Sequence, residues 1–387
     1  MRLGSLGVSA NSRYIKKDMI VAINCLSINT PGVLGIRTAL MNHVTRLSNS
    51  LLDREVKPHF IFFVQRCSDL KTEIEAVLGS EVDYSVREVD GVESPAKRIA
   101  YEQLVLPFRL SGVSVLFSIN GIAPLMLPRD CRSVVMVHDL LPFHKANRYG
   151  WLQRSYLQLF MRLSARRASR LITISNFSAK EIQEFLGIPF ARIEVVYHFL
   201  NREYRRSGRS GEHFLSIAGL NADKRIDVLI RAFDLFKREG GHPDSHLLIA
   251  GPDQGAGADL KRLVQSLRGG ADDIEFLGAV SESRKCELIE SSIAVAMLGR
   301  SEGFGIPVIE AMSLGRPTLA ANSGALPEVV GEAGVIVDGA DERSVMDGMQ
   351  RLAESGSDWE GKCSQGYERF DGDALSRRFW MLVTQHA

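Results

Sequence analysis

The chain has 387 residues, 45% of them hydrophobic and 24% charged, with a formal net charge of +1. These values are ordinary for a soluble globular protein, and the length suggests two domains. No apolar run approaches the ~20 residues that a bilayer-spanning helix needs, and the polar start Met1–Asp18 lacks the apolar centre of a signal peptide. Five cysteines (Cys25, Cys67, Cys131, Cys286 and Cys363) are scattered without paired spacing. That pattern argues for reduced thiols in a cytosolic protein and against a disulfide or zinc framework.

The charge is unevenly distributed. Residues 1–200 carry 25 Lys+Arg against 17 Asp+Glu, a balance of +8, and residues 201–387 carry 22 against 29, a balance of −7. Between Leu140 and Lys180 there are eight basic residues and no acidic one, among them Arg162, Arg166 and Arg167. Trp151, Leu152, Tyr156, Leu159, Phe160 and Leu163 interleave with them. A solvated helix face and a basic amphipathic surface resting on anionic lipid headgroups both fit this stretch. Nothing in the chain resembles a nucleic-acid-binding module, so no nucleic-acid partner is expected.

In chain order, residues 1–18 read as a loose extension and Ile20–Leu26 as the first strand. A glycine loop containing Gly32 and Gly35 opens a helix over Thr38–Leu52. Apolar strands are expected at His59–Val64, Ser114–Ile119, Ser133–Val137, Arg170–Ser175 and Ile193–Tyr197. Asn176–Ser178 supplies an N-cap for a helix over Ala179–Leu186. This alternation is that of a doubly wound α/β sheet filling residues 19–200. The polar, basic and glycine-bearing segment 201–211 reads as a linker. A second unit then begins, with strands at Phe214–Ala218, His246–Ala250, Ile274–Leu277, Ile293–Leu298, Thr318–Ala321 and Gly334–Val337. Helices are expected at about Asp227–Glu239 and at Ser281–Glu290, and glycines (Gly251, Gly278) close two of the strands. Two such α/β halves face each other across a cleft.

The most informative stretch follows the strand Ile293–Leu298. It runs Glu302-Gly303-Phe304-Gly305-Ile306-Pro307-Val308-Ile309-Glu310. Glycines permit a sharp turn, Pro307 suits the first turn of a helix, and Gly315 and Pro317 stop that helix. A helix N-terminus aimed at the mouth of a sheet is a ready anion site. Glu310 could merely complement the helix dipole, whereas Glu302, between a buried strand and a glycine turn, is better explained by ligand hydroxyls.

E-G-F-G-I-P-V-I-E, followed by A-M-S-L-G-R-P-T and by Leu326-Pro-Glu-Val-Val-Gly331, resembles the Glu-x7-Glu region of the retaining glycosyltransferases of family four. The resemblance implies the GT-B fold, two Rossmann-like domains facing across a cleft. Residues 19–200 would bind the acceptor, residues 212–370 the nucleotide-sugar, and residues 371–387 would form a helix returning to the first domain. It further implies that Glu310 accepts hydrogen bonds from ribose hydroxyls and that Glu302 meets the donor sugar. Gly303, Phe304, Gly305 and Ile306 would line the donor site, with backbone N–H groups of Phe304 and Gly305 directed at sugar and phosphate. Lys224 matches the lysine that neutralises the donor diphosphate. The arginine that usually precedes it falls here on Gly219 or Leu220, and Arg225 either replaces it or faces solvent. Gly35 would approach the diphosphate from the other domain, and Gly251 and Gly278 are assigned to the donor side.

His138-Asp139, at the end of Ser133–Val137, resembles the His-Asp pair on the acceptor side of the cleft. A lone histidine there is ordinarily a satisfied polar residue, but the carboxyl end of a strand is where open α/β sheets hold ligands. His138 is assigned to the donor sugar near its anomeric carbon, and Asp139 to positioning the histidine or the acceptor hydroxyl. Front-face attack with retention is implied by the family. Asp371-Gly-Asp373 is read as a helix cap and not as a metal site, and neither metal nor cofactor is expected. The implied reaction moves a sugar from a nucleotide donor to a lipid-linked or oligosaccharide acceptor in surface polysaccharide synthesis. His-Asp-Leu-Leu-Pro142 and Ser175–Ser178 resemble mannosyl-, rhamnosyl- or fucosyl-transferring members, which favours a GDP-sugar over a UDP-sugar. A GT-B epimerase or phosphorylase, and a non-catalytic assembly partner, are the alternatives.

Overall fold

A computed structural model describes residues 19–28, 34–51, 57–66, 68–144, 150–201, 211–354 and 359–385. The N-terminal extension, Gly32, Cys67, Lys145, Arg148 and nearly all of the linker lie outside the described residues.

Two parallel sheets account for the strands. The first orders β3-β2-β1-β4-β5-β6-β7, with β1 Ile20–Asn24, β2 His59–Gln65, β3 Tyr84–Val89, β4 Val115–Ser118, β5 Arg132–Val137, β6 Arg170–Thr173 and β7 Ile193–Val195. The second orders β10-β9-β8-β11-β12-β13, with β8 His213–Ile217, β9 His246–Ala250, β10 Ile274–Gly278, β11 Ser292–Met297, β12 Thr318–Ala321 and β13 Gly334–Val337. Parallel strands covered by helices on both faces must be apolar along their whole length. Phe60–Val64 and Val134–Val137 are accordingly buried throughout. In each sheet the strand order reverses once, between β1 and β4 and between β8 and β11. The loops leaving those strands open the crevice where such sheets hold ligands.

The chain finishes on the first sheet. Asp371 caps the last helix, Gly372–Thr384, by accepting from the backbone N–H groups of Asp373 (2.8 Å) and Ala374 (3.1 Å). Trp380 is fully buried and donates to the His43 carbonyl at 2.9 Å, while Phe379 stacks on the His43 ring at 3.8 Å between centroids. Ser50 bonds Ser376, and Arg46 pairs with Asp373. The apolar stripe of this helix thus fills a gap in the first domain after the second is complete.

Several elements depart from the sequence reading for physical reasons. The expected helix Thr38–Leu52 is two helices, Leu34–Thr45 and Leu47–Ser50. The cap of the helix Asn176–Glu181 is Ser175, whose hydroxyl accepts from Ser178 N–H at 3.0 Å, so the helix starts before the predicted cap segment ends. The half-polar edge strand β3 and the helices Leu70–Val77, Pro95–Leu104, Gly257–Gln265 and Glu342–Glu354 were not anticipated.

Candidate active site

The second domain builds its half of the site from the two loops at its strand-order reversal. After β8, the Asn221 side chain accepts from Asp223 N–H at 3.0 Å and shapes the turn Ala222–Lys224. After β11, Arg300 N–H donates to the Asp223 carbonyl at 2.8 Å, which ties the two loops together. Lys224 Nζ then meets Glu302 Oε1 at 2.6 Å, with the carboxylate only 14% exposed. Glu302 is clamped from behind by its carbonyl, which accepts from Ala325 N–H at 2.8 Å. Gly324, at φ +59°, lies so close that a Cβ would stand 2.5 Å from that carbonyl oxygen. The helix Ile306–Ser313 follows, entered through Gly305 at φ 99°.

Glu310, 5% exposed, points from that helix to Lys285 of the helix Glu282–Glu290, at 2.6 Å. Burial works to lower the Lys285 ammonium, but Glu310 and Glu282 outweigh it and hold that group above its ordinary range. Glu310 is therefore paired with a half-buried lysine and does not merely complement a helix dipole.

The first domain supplies the opposite wall. His138 follows β5 and is 8% exposed. Burial lowers its pKa to about 4, offset in part by a hydrogen bond with the Ile119 backbone. Its Nε2 is buried and has no partner. A neutral ring with Nδ1 engaged leaves Nε2 as a bare acceptor. Its ring stacks on His198 at 5.6 Å between centroids, and His198 meets Phe304 edge-on at 5.1 Å. Asp139 Oδ1 accepts from Leu141 N–H at 3.1 Å and so shapes the turn after the histidine.

The two halves touch. A Cβ on Gly303 would stand 2.7 Å from the His138 carbonyl oxygen and 3.8 Å from Asp139 Cβ, so only glycine permits this approach. Phe304, 3% exposed, wedges between Tyr197 and His198 of the first domain and Phe370 before the last helix. Glu328 reaches across and takes four hydrogen bonds. Its Oε1 accepts from Asn176 N–H, Asn176 Nδ2 and the Tyr197 hydroxyl, all at 2.8 Å, and its Oε2 from Phe177 N–H at 3.0 Å. A carboxylate from one domain thus caps a helix of the other.

Of the residues singled out in the sequence, the structure gathers Lys224, Glu302, Gly303, Phe304, Gly305, Glu310, His138 and Asp139. Ile306 begins the helix beside them. Arg225 sits in the left-handed region at φ 51°, and its Nη1 would be 3.2 Å from a Cβ on Gly339, above the ends of β11 to β13. Gly251 and Gly278 bond to each other at 2.7 Å, at the ends of β9 and β10. Gly251 also abuts the Ala218 carbonyl, where a Cβ would stand 2.0 Å away. Gly35 lies in the first turn of Leu34–Thr45 with open space around it. Arg162 is not a free surface cation: its Nε donates to the Phe185 carbonyl at 3.2 Å, and its guanidinium lies 4.8 Å over the Phe143 ring. Arg167 donates to the Leu125 carbonyl at 3.0 Å, and Arg166 is exposed. The sequence reading missed Lys285, His198 and the role of Glu328, although Glu328 stands inside the quoted Leu326–Gly331 segment.

This geometry agrees with comparisons to known proteins. The sequence model for glycosyltransferase family 4 matches residues 41–204, and that for glycosyl transferases group 1 matches residues 202–365. The chain belongs to the family-four glycosyltransferases. It is 24% identical over 219 residues to the O-antigen chain mannosyltransferase RfbU of Salmonella typhimurium, covering 56% of this chain and 60% of that protein. It is 30% identical over 187 residues to the D-inositol 3-phosphate glycosyltransferase of Mycolicibacterium smegmatis, covering 45% and 43%. The chain therefore spans about half the length of these curated relatives. Among solved structures, Anabaena HepE in complex with UDP and glucose superposes with a TM-score of 0.71 at 16% identity, over 94% of this chain and 98% of that one. The lipopolysaccharide outer core galactosyltransferase WaaB gives 0.68 at 18%, over 94% and 99%. Both likenesses establish the GT-B fold, with its last helix on the first domain.

Two outcomes follow. Glu328→Gln keeps the shape but weakens acceptance from four donors, and a cost of about 1–3 kcal/mol is expected. Small-angle scattering should show a larger radius of gyration; an unchanged radius and unchanged stability would remove the latch. For pH, His138 has a folded pKa of about 4 against an ordinary 6.5. Between those values the unfolded chain binds more protons, so stability is full above about 6.5 and is lost as pH falls. Burial lowers His43 (to about 3) and His198 as well, which adds to that slope, whereas Glu102 and Glu181, raised by burial, oppose it. The urea midpoint should fall steadily from pH 7 to pH 5; a flat or rising profile would show that the histidines do not outweigh the buried carboxyls.

Proposed function

We propose that the chain is a retaining glycosyltransferase that moves mannose from GDP-mannose to a glycan or lipid-linked glycan acceptor in surface polysaccharide synthesis. The observation that carries this is the Lys224–Glu302 pair at the strand-order reversal, followed at once by Gly303, whose backbone packs against the His138 carbonyl of the other domain. A nucleoside diphosphate leaving group gains negative charge as the glycosidic bond breaks. Lys224 stabilises that charge, and no metal is assigned a part. Once Lys224 turns to the diphosphate, Glu302 accepts from the hydroxyls of the donor sugar. Glu310, paired with Lys285, accepts from ribose hydroxyls. His138 Nε2 accepts from a sugar hydroxyl near the anomeric carbon, because its lowered pKa makes it a poor general base. Glu302 and Asp139 are assigned polar contacts, and the reaction is front-face attack with a diphosphate oxygen taking the acceptor proton. The sugar assignment draws on the mannosyltransferases among the relatives, and the HepE complex keeps UDP-sugars as the alternative.

A peripheral position at an anionic membrane fits one face of the helix Trp151–Arg167, where Trp151 (76%), Leu152 (66%) and Leu159 (53%) are exposed. Among the described residues, no helix is long and apolar enough to cross a membrane.

Thermal shift with GDP, UDP, ADP and dTDP tests the donor. A nucleotide at a hundred times its Kd adds about 2.7 kcal/mol. GDP should give the largest shift, and Glu310→Ala should abolish it; equal shifts in the variant would remove Glu310 from the site. For the membrane, vesicles containing anionic phospholipid should retain the wild type and release a Trp151→Ser, Leu152→Ser variant, and equal retention would refute this docking face.

A further inference from the structure

The first domain contains a second polar site that the donor chemistry does not use. It lies at the other strand-order reversal, between β1 and β4, where a pocket of about 50 Å³ opens between the helices Pro95–Leu104 and Trp151–Arg167. Its wall includes Asn24, Glu102, Asn120, Tyr156 and Arg98.

These groups are built in, not washed onto a surface. Asn24 is the last residue of β1 and 5% exposed; its Oδ1 accepts from Leu26 N–H at 3.2 Å and its Nδ2 donates to Glu102 Oε1 at 3.1 Å. Glu102 is 8% exposed, and burial raises its carboxyl above the usual range, against the pull of Asn24 and Arg98. The Tyr156 hydroxyl is buried without a hydrogen-bond partner. A buried carboxylate and an unspent hydroxyl donor are costly to keep together unless something completes them. The site also adjoins the reaction centre: His138 bonds to the Ile119 backbone, and the next residue, Asn120, lines the pocket.

We propose that this pocket is a specificity subsite that receives a hydroxyl or hydroxymethyl group of the acceptor sugar, with Glu102 accepting from it and Tyr156 donating to it. The volume holds one or two groups of the size of water, each of which takes about 30 Å³ in the liquid, so the sugar ring lies over the mouth. The Arg98 charge in the wall is set against the Glu102 carboxyl, so the pocket has no surplus positive charge to hold an anion, and the group received is a neutral hydroxyl and not a lipid phosphate. The proposal rests on the glycosyltransferase reading and adds to it that the acceptor end at the reaction centre is carbohydrate.

The test uses the full chain and ligand-observed saturation-transfer NMR. The probes are the methyl glycosides of mannose, glucose, galactose and rhamnose, with and without the nucleotide that stabilises the protein. At least one glycoside should bind the wild type. Tyr156→Phe, which removes one hydrogen bond between neutral groups, should weaken that binding about fivefold, and Glu102→Gln, which removes a carboxylate acceptor, at least about tenfold. In both variants the nucleotide-induced shift should stay at the wild-type value, and the melting temperature should be no lower than that of the wild type. If no glycoside binds, or if the variants bind as well as the wild type, the subsite is refuted. Glycoside binding lost in both variants, with no nucleotide shift even in the wild type, would instead overturn the donor reading and leave the pocket standing.

Discussion

The site depends on one close approach, the Gly303 backbone against the His138 carbonyl. Two separately folded sheets can place catalytic groups within reach of one substrate only if their loops meet at backbone distance. A side chain at position 303 would force them apart, because the nearest obstacle is a carbonyl oxygen at 2.7 Å from any Cβ. The approach is held from both sides. Phe304 is buried among Tyr197, His198 and Phe370, and Glu328 occupies the N-terminus of the helix that follows β6. An apolar wedge sets the spacing, and a charge-assisted cap sets the rotation. The last helix closes the arrangement, since Phe370 stands just before it and Trp380 is anchored under His43.

Charge in the cleft obeys the rule that buried ions come in pairs. The glutamate pair would be untenable alone at 14% and 6% side-chain exposure. Each therefore carries a lysine from another element, 78 residues away for Glu302 and 25 for Glu310. Breaking such a pair without a substitute costs far more than the pair gains on forming. In the reaction we propose, a diphosphate draws Lys224 away from Glu302 while the donor sugar offers hydroxyls to the carboxylate in the same step. The pair thus ties phosphate binding to sugar binding.

Much of this was legible from sequence, and the rest was not for definite reasons. Largely buried parallel strands announce themselves as apolar runs, so β2, β5, β9, β12 and β13 lay within a residue of their expected bounds. The glycine turn and its glutamates are local in sequence and carry a long motif. Partners set by tertiary contact leave no local trace. Lys285 sits in a helix whose exposed positions are as charged as its buried one, and His198 follows a strand end with nothing to distinguish it from a core histidine. The basic run from Leu140 to Lys180 shows the converse failure. Its charge was visible, but Arg154 and Arg162 spend their donors on the carbonyls of Pro142, His144 and Phe185. What remains for a lipid surface is chiefly the exposed apolar edge of that helix.

The same topological event occurs in both sheets but is equipped differently. At β8/β11 the loops carry a lysine against a carboxylate, chemistry suited to an anionic leaving group. At β1/β4 they carry Asn24 against a buried carboxylate and a tyrosine hydroxyl, chemistry suited to neutral hydroxyls. His138 lies between them, bonded to the residue that leaves β4 and pressed against Gly303 of the other domain. A neutral imidazole can stand there without an ion partner and still present an acceptor. Burial keeps it neutral, so the junction of the two subsites adds no charge to either.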